Sequence, residues 1–170
     1  MIKKQESKHV LKISISDSNI KKSRRRAASL KNSRRKISAG GEIYGLLAEE
    51  LFLDNYGGTL IDNKDYDINH NSIGRIDVKT KRCSSPPESH YTCSVAEYQL
   101  DNDCDYYAFY RIHVNLNTAW FLGIISKAEF LKKATKLNKG DMDGSFVCKA
   151  NCYNIKISEL KTISDVMVKS

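Results

Sequence analysis

Residues 65–82, DYDINHNSIGRIDVKTKR, decide how the rest of the chain is interpreted. One short strand ends at the letters YDI, and the turn-forming letters NHNS follow it. From Gly74 onward apolar residues alternate with charged ones, which predicts a second strand. Because side chains alternate along a strand, Asp77 and Lys79 share one face, and a tight hairpin brings Asp67 beside them.

Two carboxylates and one ammonium group at a single point have a specific chemical use. Carboxylate oxygens hold hard divalent cations such as Mg²⁺, which keep several water ligands and also bind phosphate oxygens. Such a cation and a lysine can together orient and deprotonate a water molecule for attack on a phosphodiester. The competing interpretation is the polar, solvated face of an ordinary hairpin.

The hairpin has a counterpart in a known family. Asp67, followed ten residues later by the tripeptide Asp-x-Lys, resembles the active-site hairpin of the PD-(D/E)XK, or restriction-endonuclease-like, nuclease superfamily. Tyr66 stands where that pattern usually has proline. The resemblance implies a metal-dependent DNA endonuclease in which Asp67, Asp77 and Lys79 are catalytic. It also implies Mg²⁺, with Mn²⁺ as the alternative, bound by both carboxylates and by the backbone carbonyl of Val78.

Further site residues are expected on the flanking elements. Residues 42–53, EIYGLLAEELFL, place apolar side chains at i, i+3, i+4 and i+8, which predicts a helix that packs on a sheet. The helix before the hairpin often supplies another acid in the superfamily, which favours Glu49, with Glu42 as the alternative. An exposed acid on a helix surface is the other interpretation of Glu49. Residues 91–100 are predicted to be helical, and Gln99 within them is a candidate for positioning water or phosphate.

The remaining pattern predicts an α/β fold. Near-continuous apolar runs are typical of strands that are buried on both faces. The segments predicted are a strand within 9–16, buried strands at 106–114 and 119–125, a helix at 127–137, a hairpin of 146–149 with 153–157, and a final short helix. This order resembles the α-β-β-β-α-β core of the superfamily, a mixed β-sheet flanked by helices, over residues 38–132. The layout also resembles small phage-encoded members.

Charge is distributed unevenly along the chain, whose net charge is +8. The first 41 residues contain thirteen Lys and Arg against two Asp and Glu, and the rest contain fifteen against eighteen. We therefore divide the chain into a basic N-terminal arm, residues 1–37, and a nuclease-like α/β domain, residues 38–170. A localised basic segment binds phosphate backbones with strong salt dependence, although a solvated tail or a surface helix has the same composition. The DNA-binding candidates are Arg24, Arg25, Arg26, Arg34 and Arg35.

Composition limits the other classes of function. The five cysteines are odd in number and irregularly spaced, which argues against a disulfide framework. The alternative to free thiols is a zinc site that includes His90. No apolar run is long enough for a membrane span, and no secretory signal is present, so a cytoplasmic protein is expected, in the host cytoplasm if phage-encoded. Expected partners are DNA and a second copy of the chain. The alternative function is a non-catalytic nucleic-acid-binding or protein-interaction module on the same fold.

Overall fold

A computed structural model describes residues 10–30 and 42–168 of the chain. The strands in these residues are β1 (Leu11–Ser14), β2 (Thr59–Leu60), β3 (Ile68–His70), β4 (Gly74–Cys83), β5 (Thr92–Ala96), β6 (Tyr106–His113), β7 (Thr118–Ser126), β8 (Thr135–Leu137), β9 (Met142–Asp143), β10 (Phe146–Val147) and β11 (Cys152–Lys156). The helices are α1 (Asp17–Ser29), α2 (Glu42–Tyr56), α3 (Lys127–Lys133) and α4 (Ile163–Met167).

A six-stranded mixed sheet forms the centre of the molecule, with the strand order β1-β7-β6-β4-β3-β2. Strands β4 and β6 are parallel, and all other neighbours in this sheet are antiparallel. The predicted strands that became β4, β6 and β7 are therefore confirmed. The mixed α/β class is confirmed as well.

The predicted helix over residues 42–53 is also confirmed and extends to Tyr56. Leu47, Leu51 and Phe52 of this helix are buried in one core cluster with Ile76 and Val78 of β4. Helix α2 therefore covers the face of the sheet to which Ile76 and Val78 point. Since side chains alternate along β4, its charged residues between and after these two point to the opposite face.

The predicted helix over residues 91–100 is wrong. Residues Thr92–Ala96 form β5, and a 3-10 turn at Glu97–Gln99 follows. Cys93 and Val95 are buried on one side of β5, and the strand pairs antiparallel with β11. The short stretch has strand periodicity, and hydrogen bonds from β11 complete it as a strand. The crossover between β4 and β6 therefore contains a strand and a 3-10 turn in the place of the expected helix.

The predicted hairpin of residues 146–149 and 153–157 is wrong as well. Strand β10 pairs with β9, whereas β11 lies between β5 and β8 in a separate three-stranded sheet. The helix predicted over 127–137 ends at Lys133 and is followed by β8. The three-stranded sheet contributes Val95 and Ile155 to a second core cluster, which also contains Phe109 of the central sheet.

The described part of the basic arm is packed onto the domain. Strand β1, predicted within residues 9–16, pairs antiparallel with β7 at the edge of the central sheet. Helix α1 packs on α2, with Ser23 and Leu30 buried. Residues 10–30 thus belong to the same folded unit as the sheet, and the proposed boundary at residue 37 lies outside the described residues.

Helix α3 carries an acid whose charge stabilises the fold. The Oε1 atom of Glu129 lies 2.8 Å from Lys133 Nζ, and its other oxygen contacts Lys161. The hydrogen bonds from Lys133 and then Lys161 lower the pKa of Glu129 from 4.5 to about 2. A carboxyl whose pKa is depressed by folding stabilises the fold above its unfolded pKa, and this contribution disappears as the pH falls through the folded pKa.

We expect Glu129→Gln to lower the free energy of unfolding at pH 7 by about 1 kcal/mol, a value reduced by solvent screening of the partly exposed carboxylate. The difference from the wild type should shrink as the pH falls from 4.5 towards 2. Thermal unfolding of both proteins at pH 7 and pH 3 measures it. Asp62→Asn, at an exposed acid, is the control and should match the wild-type stability at pH 7. A Glu129 effect of the same size at both pH values would contradict the assignment.

Candidate active site

The hairpin of β3 and β4 brings Asp67 next to β4. The Asp67 backbone N–H donates a 2.9 Å hydrogen bond to Ile76 O, and the Asp67 carboxylate accepts one of 2.8 Å from the Val78 N–H. The carboxylate of Asp67 therefore lies beside the peptide unit that joins Asp77 to Val78. The sequence predicted this approach of the two acids from the turn alone.

The backbone of Val78 faces the same edge of β4 as the Asp67 carboxylate. The N–H and C=O of one residue in a strand point to the same neighbour. Since the Val78 N–H points to Asp67, its carbonyl oxygen also points to the side on which Asp67 lies. The predicted ligand set of two carboxylates and one main-chain carbonyl is thus gathered along a short part of β4.

Asp77 and Lys79 form an ion pair on one face of β4. Asp77 Oδ2 lies 2.8 Å from Lys79 Nζ, and the side chains are 7% and 15% exposed. The Asp77 oxygen is buried and its angles to the ammonium group are not those of a hydrogen bond. The contact is therefore an ion pair between two largely buried charges.

Aromatic and thiol groups surround this pair on the side of the second core cluster. Burial raises the pKa of Tyr107 and Cys104, in the case of Cys104 to about 11, and the nearby Asp77 carboxylate raises both further. Tyr107 and Cys104 are therefore uncharged at neutral pH. The Asp77–Lys79 pair consequently lies in an environment of low polarity, where its electrostatic interactions are little screened.

Glu49 lies away from this pair. Its buried carboxylate oxygen Oε2 is 2.5 Å from Arg26 Nη2, and the neighbouring Glu50 lies 2.7 Å from Lys22 Nζ. Both acids belong to α2, which covers the face of β4 opposite to the one that carries Asp77. The structure therefore holds Asp67 against the Val78 backbone and pairs Asp77 with Lys79, and it pairs Glu49 with Arg26 between α1 and α2.

We expect Arg26→Ala to lower the free energy of unfolding by about 3 kcal/mol, because buried carboxylates of Glu49 and Glu50 then lose a cation. Arg24→Ala, which changes an exposed side chain of the same helix, should stay within about 0.5 kcal/mol of the wild type. Chemical denaturation measures both. A loss below about 1 kcal/mol for Arg26→Ala, the value of a surface pair, would contradict this structural role.

The other predicted residues take separate positions. Arg24 and Arg25 are exposed on the outer side of α1, whereas Arg34 and Arg35 lie outside the described residues. Glu42 is the first residue of α2, and its side chain is outside the described part of the chain. Gln99 is the last residue of the 3-10 turn after β5, and its side chain is half-buried. None of the hydrogen bonds of the described residues joins it to the Asp77–Lys79 pair.

The sequence analysis missed Arg111 and Lys81, which lie on the same face of the sheet as Lys79. Arg111 is 7% exposed within β6, and the parallel pairing of β4 with β6 places it directly opposite Lys81. The sequence does contain a signal for Arg111, because it is a single arginine inside the apolar run YYAFYRIHV. A charged residue in a strand that is buried on both faces needs a partner or a ligand.

The donor atoms of the site are of the kind that binds a magnesium ion. Carboxylates of Asp67 and Asp77 and the carbonyl of Val78 are oxygen ligands of the kind that Mg²⁺ prefers, and Mg²⁺ is often held by only one or two carboxylates plus water and phosphate. Within residues 10–30 and 42–168, no group of three or more His, Cys, Asp or Glu side chains is placed to hold a metal ion. The donors that are present therefore fit a magnesium site with two carboxylates, without Glu49.

The cysteines form no such group in that part of the chain either. All five are free thiols, and the closest contact is the 3.9 Å between Cys148 Sγ and Cys152 Sγ. Burial raises the pKa of Cys93 to about 12, so this thiol is protonated at neutral pH. The structure thus gives no support to the alternative of a zinc site among the described residues.

No protein-family model matches the chain, and no curated protein shows significant similarity to it. Among the residues that the structure describes, no helix is both long enough and apolar enough to cross a membrane. The function is therefore inferred from the geometry of the β3–β4 hairpin and from the chemistry of its side chains.

Proposed function

We propose that the protein is a metal-dependent DNA endonuclease that hydrolyses phosphodiester bonds, on a restriction-endonuclease-like core. One observation carries the proposal: the Asp67 carboxylate lies 2.8 Å from the Val78 N–H of β4, and the neighbouring Asp77 lies 2.8 Å from Lys79. Such a set on a rigid sheet suits chemistry at a phosphate. The helix expected between β4 and β6 of that core is replaced here by β5 and a 3-10 turn.

Each group of the site has a role in this reaction. Asp67, Asp77 and the Val78 carbonyl would hold Mg²⁺ or Mn²⁺, which supplies a Lewis acid for the phosphate and lowers the pKa of a bound water. The Lys79 ammonium group orients the attacking water and stabilises the negative charge that develops on the phosphate. Asp77 holds Lys79 in position through their ion pair.

An outer contact with DNA is assigned to α1, which packs on α2, on the side of the sheet opposite to Asp77 and Lys79, so this contact would lie outside the cleavage site. Arg24 and Arg25 are exposed there, whereas Arg26 points to α2 and pairs with Glu49. Exposed arginines on one helix face contact phosphates without reading bases, so this contact gives affinity and salt dependence but no sequence preference.

A cleavage assay tests the proposal. A panel of branched, linear and single-stranded DNAs is incubated with Mg²⁺ and the wild type, the Asp77→Asn variant or the control variant Asp101→Asn, which changes an exposed acid. We expect the wild type and the control to cut at least one substrate, the chelator EDTA to stop cleavage, and Asp77→Asn to be inactive. Cleavage at the wild-type rate by Asp77→Asn would refute the site.

A second candidate function is a nucleic-acid-binding module without catalysis. The observation in its favour is the low exposure of Asp77 and Lys79, which pair with each other as a structural ion pair would. This candidate predicts no heat from binding at Asp67 and Asp77 when Mg²⁺ or Mn²⁺ is titrated into the protein. Calorimetry of the wild type beside Asp77→Asn separates the two functions, because a nuclease site gives a metal-binding heat that the variant lacks.

A further inference from the structure

Arg111 carries a buried charge that forms an ion pair with no acid in the described part of the chain. Among the described residues no carboxylate lies within ion-pair distance of its guanidinium group, and its buried Nε has no hydrogen-bond partner. Its Nη2 donates a 3.1 Å hydrogen bond to Thr92 O, and its guanidinium plane lies 5.1 Å from the Tyr91 ring. Arginine stays protonated in proteins, so the side chain cannot avoid the cost of burial by losing its charge.

Lys81 brings a second positive charge to the same place. It is the register partner of Arg111 on the parallel strand β4, and its Nζ lies 4.5 Å from the centre of the Phe146 ring. Burial and the neighbouring Arg111 lower the pKa of Lys81. The acid that acts on Lys81, Asp143, already accepts hydrogen bonds from Thr92 and Asn154. Two cations side by side are stabilised when an anion binds between them.

An open cleft of about 600 Å³ gives access to these two cations. Hydroxyl groups line it next to the charges, and they are those of Ser84, Ser85 and Ser145. A guanidinium fork, an ammonium group and hydroxyl donors are the groups that bind phosphate oxygens, and the fork can bind them in a bidentate manner. The cleft therefore offers groups that bind a phosphate oxyanion, although the Asp143 carboxylate also lines it.

The cleft shares lining residues with a cavity beside Lys79 of the candidate active site. Lys79 and Lys81 lie on one face of β4, two residues apart, which is about 6.6 Å along a strand. A second, smaller cavity is lined by both lysines and by Arg111 and so joins the two places. This spacing is comparable with the distance between neighbouring phosphates on one nucleic-acid strand.

We propose that Arg111 and Lys81 form a phosphate-binding subsite for a nucleic-acid strand. The subsite binds the phosphate next to the one that is cleaved at Lys79. The subsite rests on the proposed function for the identity of its ligand. It holds the strand on the sheet itself, separately from the exposed arginines of α1, and it fixes which phosphodiester reaches Lys79.

Binding without metal tests the subsite. A fluorescently labelled oligothymidylate is titrated into the full chain in EDTA at several salt concentrations, and anisotropy gives the affinity. We expect Lys81→Met to weaken binding about tenfold and to reduce the slope of log affinity against log salt by about 0.7, the value of one single-strand phosphate contact. Arg111→Lys keeps the positive charge but loses the bidentate guanidinium group. The affinity should therefore fall, while the slope of log affinity against log salt stays unchanged. Lys132→Met, at an exposed lysine of α3, is the control and should match the wild type.

The outcomes separate the subsite from the proposed function. Wild-type affinity in both Lys81→Met and Arg111→Lys would overturn the subsite, even if the protein cleaves DNA. Absence of cleavage with Mg²⁺ would overturn the nuclease, while lower affinity of the two variants would still support the subsite. Inorganic phosphate serves as a competitor: loss of phosphate binding in the variants with unchanged oligonucleotide affinity would show a site for free phosphate and refute the nucleic-acid ligand. Circular dichroism verifies that each variant is folded.

Discussion

Lys79→Ala is expected to reduce the rate of DNA cleavage by about 10²–10³-fold, the contribution of one group that stabilises the negative charge developing in the transition state. The ammonium group of Lys79 lies 2.8 Å from Asp77 Oδ2, on a strand inside the central sheet. Single-turnover cleavage with Mg²⁺ measures the chemical step directly. Lys132→Ala, at an exposed lysine of α3, is the control and should cleave at the wild-type rate.

The same variant has a second expected effect, on stability. Removal of Lys79 leaves the buried Asp77 carboxylate without its cation, which costs about 3 kcal/mol in the free energy of unfolding when no metal is present. Mg²⁺ bound at Asp77 would supply the missing charge, so Mg²⁺ should raise the melting temperature of Lys79→Ala more than that of the wild type. An unchanged response to Mg²⁺, together with wild-type cleavage, would refute both the role of Lys79 and the metal site.

Gly123→Ala is expected to destabilise the fold by about 4 kcal/mol. Gly123 has a φ of +133°, which side-chain-bearing residues rarely adopt, and an added Cβ would lie 2.7 Å from Leu160 Cβ and 2.8 Å from Lys161 O. The Lys161 backbone cannot move away easily, because it exchanges two 2.9 Å hydrogen bonds with Ile124. Overpacking and backbone strain each cost about 1–3 kcal/mol.

The glycine of α2 provides the matched control for this substitution. A Cβ at Gly45 would meet no atom within 4 Å, and alanine is favoured over glycine in a helix by about 0.5–1 kcal/mol. Gly45→Ala should therefore leave stability unchanged or raise it. Denaturant unfolding of both variants measures the contrast. Wild-type stability of Gly123→Ala would show that the Leu160–Lys161 segment does not press against β7.

Segments with a strong local signal were predicted well. Helix α2 is a long apolar stretch of helix-forming residues, and β6 and β7 are long apolar runs with β-forming residues. Their type follows from their own side chains, since each must bury an apolar face wherever it packs. The hairpin that brings Asp67 to β4 was also predicted, but its bounds were wrong: the first strand begins at Ile68 and includes Asn69 and His70, which were expected in the turn.

Segments with a weak local period were predicted poorly. Residues 91–100 are short and of mixed composition, and their conformation depends on the strand β11, more than fifty residues away in sequence. The pairing of β11 with β5 and β8 was missed for the same reason. In such stretches hydrogen bonds to distant strands outweigh the intrinsic preference of the residues.

The sequence by itself determined the mixed α/β class, the placement of Asp67 beside β4 and the shared face of Asp77 and Lys79, because alternation along a strand and a tight turn are local geometry. Only the tertiary structure decided the partners of the remaining charges. Arg26 pairs with Glu49 because α1 packs on α2, and Arg111 lies opposite Lys81 because β4 and β6 are parallel neighbours. The environment of a charge depends on the elements that fold around it, and these come from distant parts of the chain.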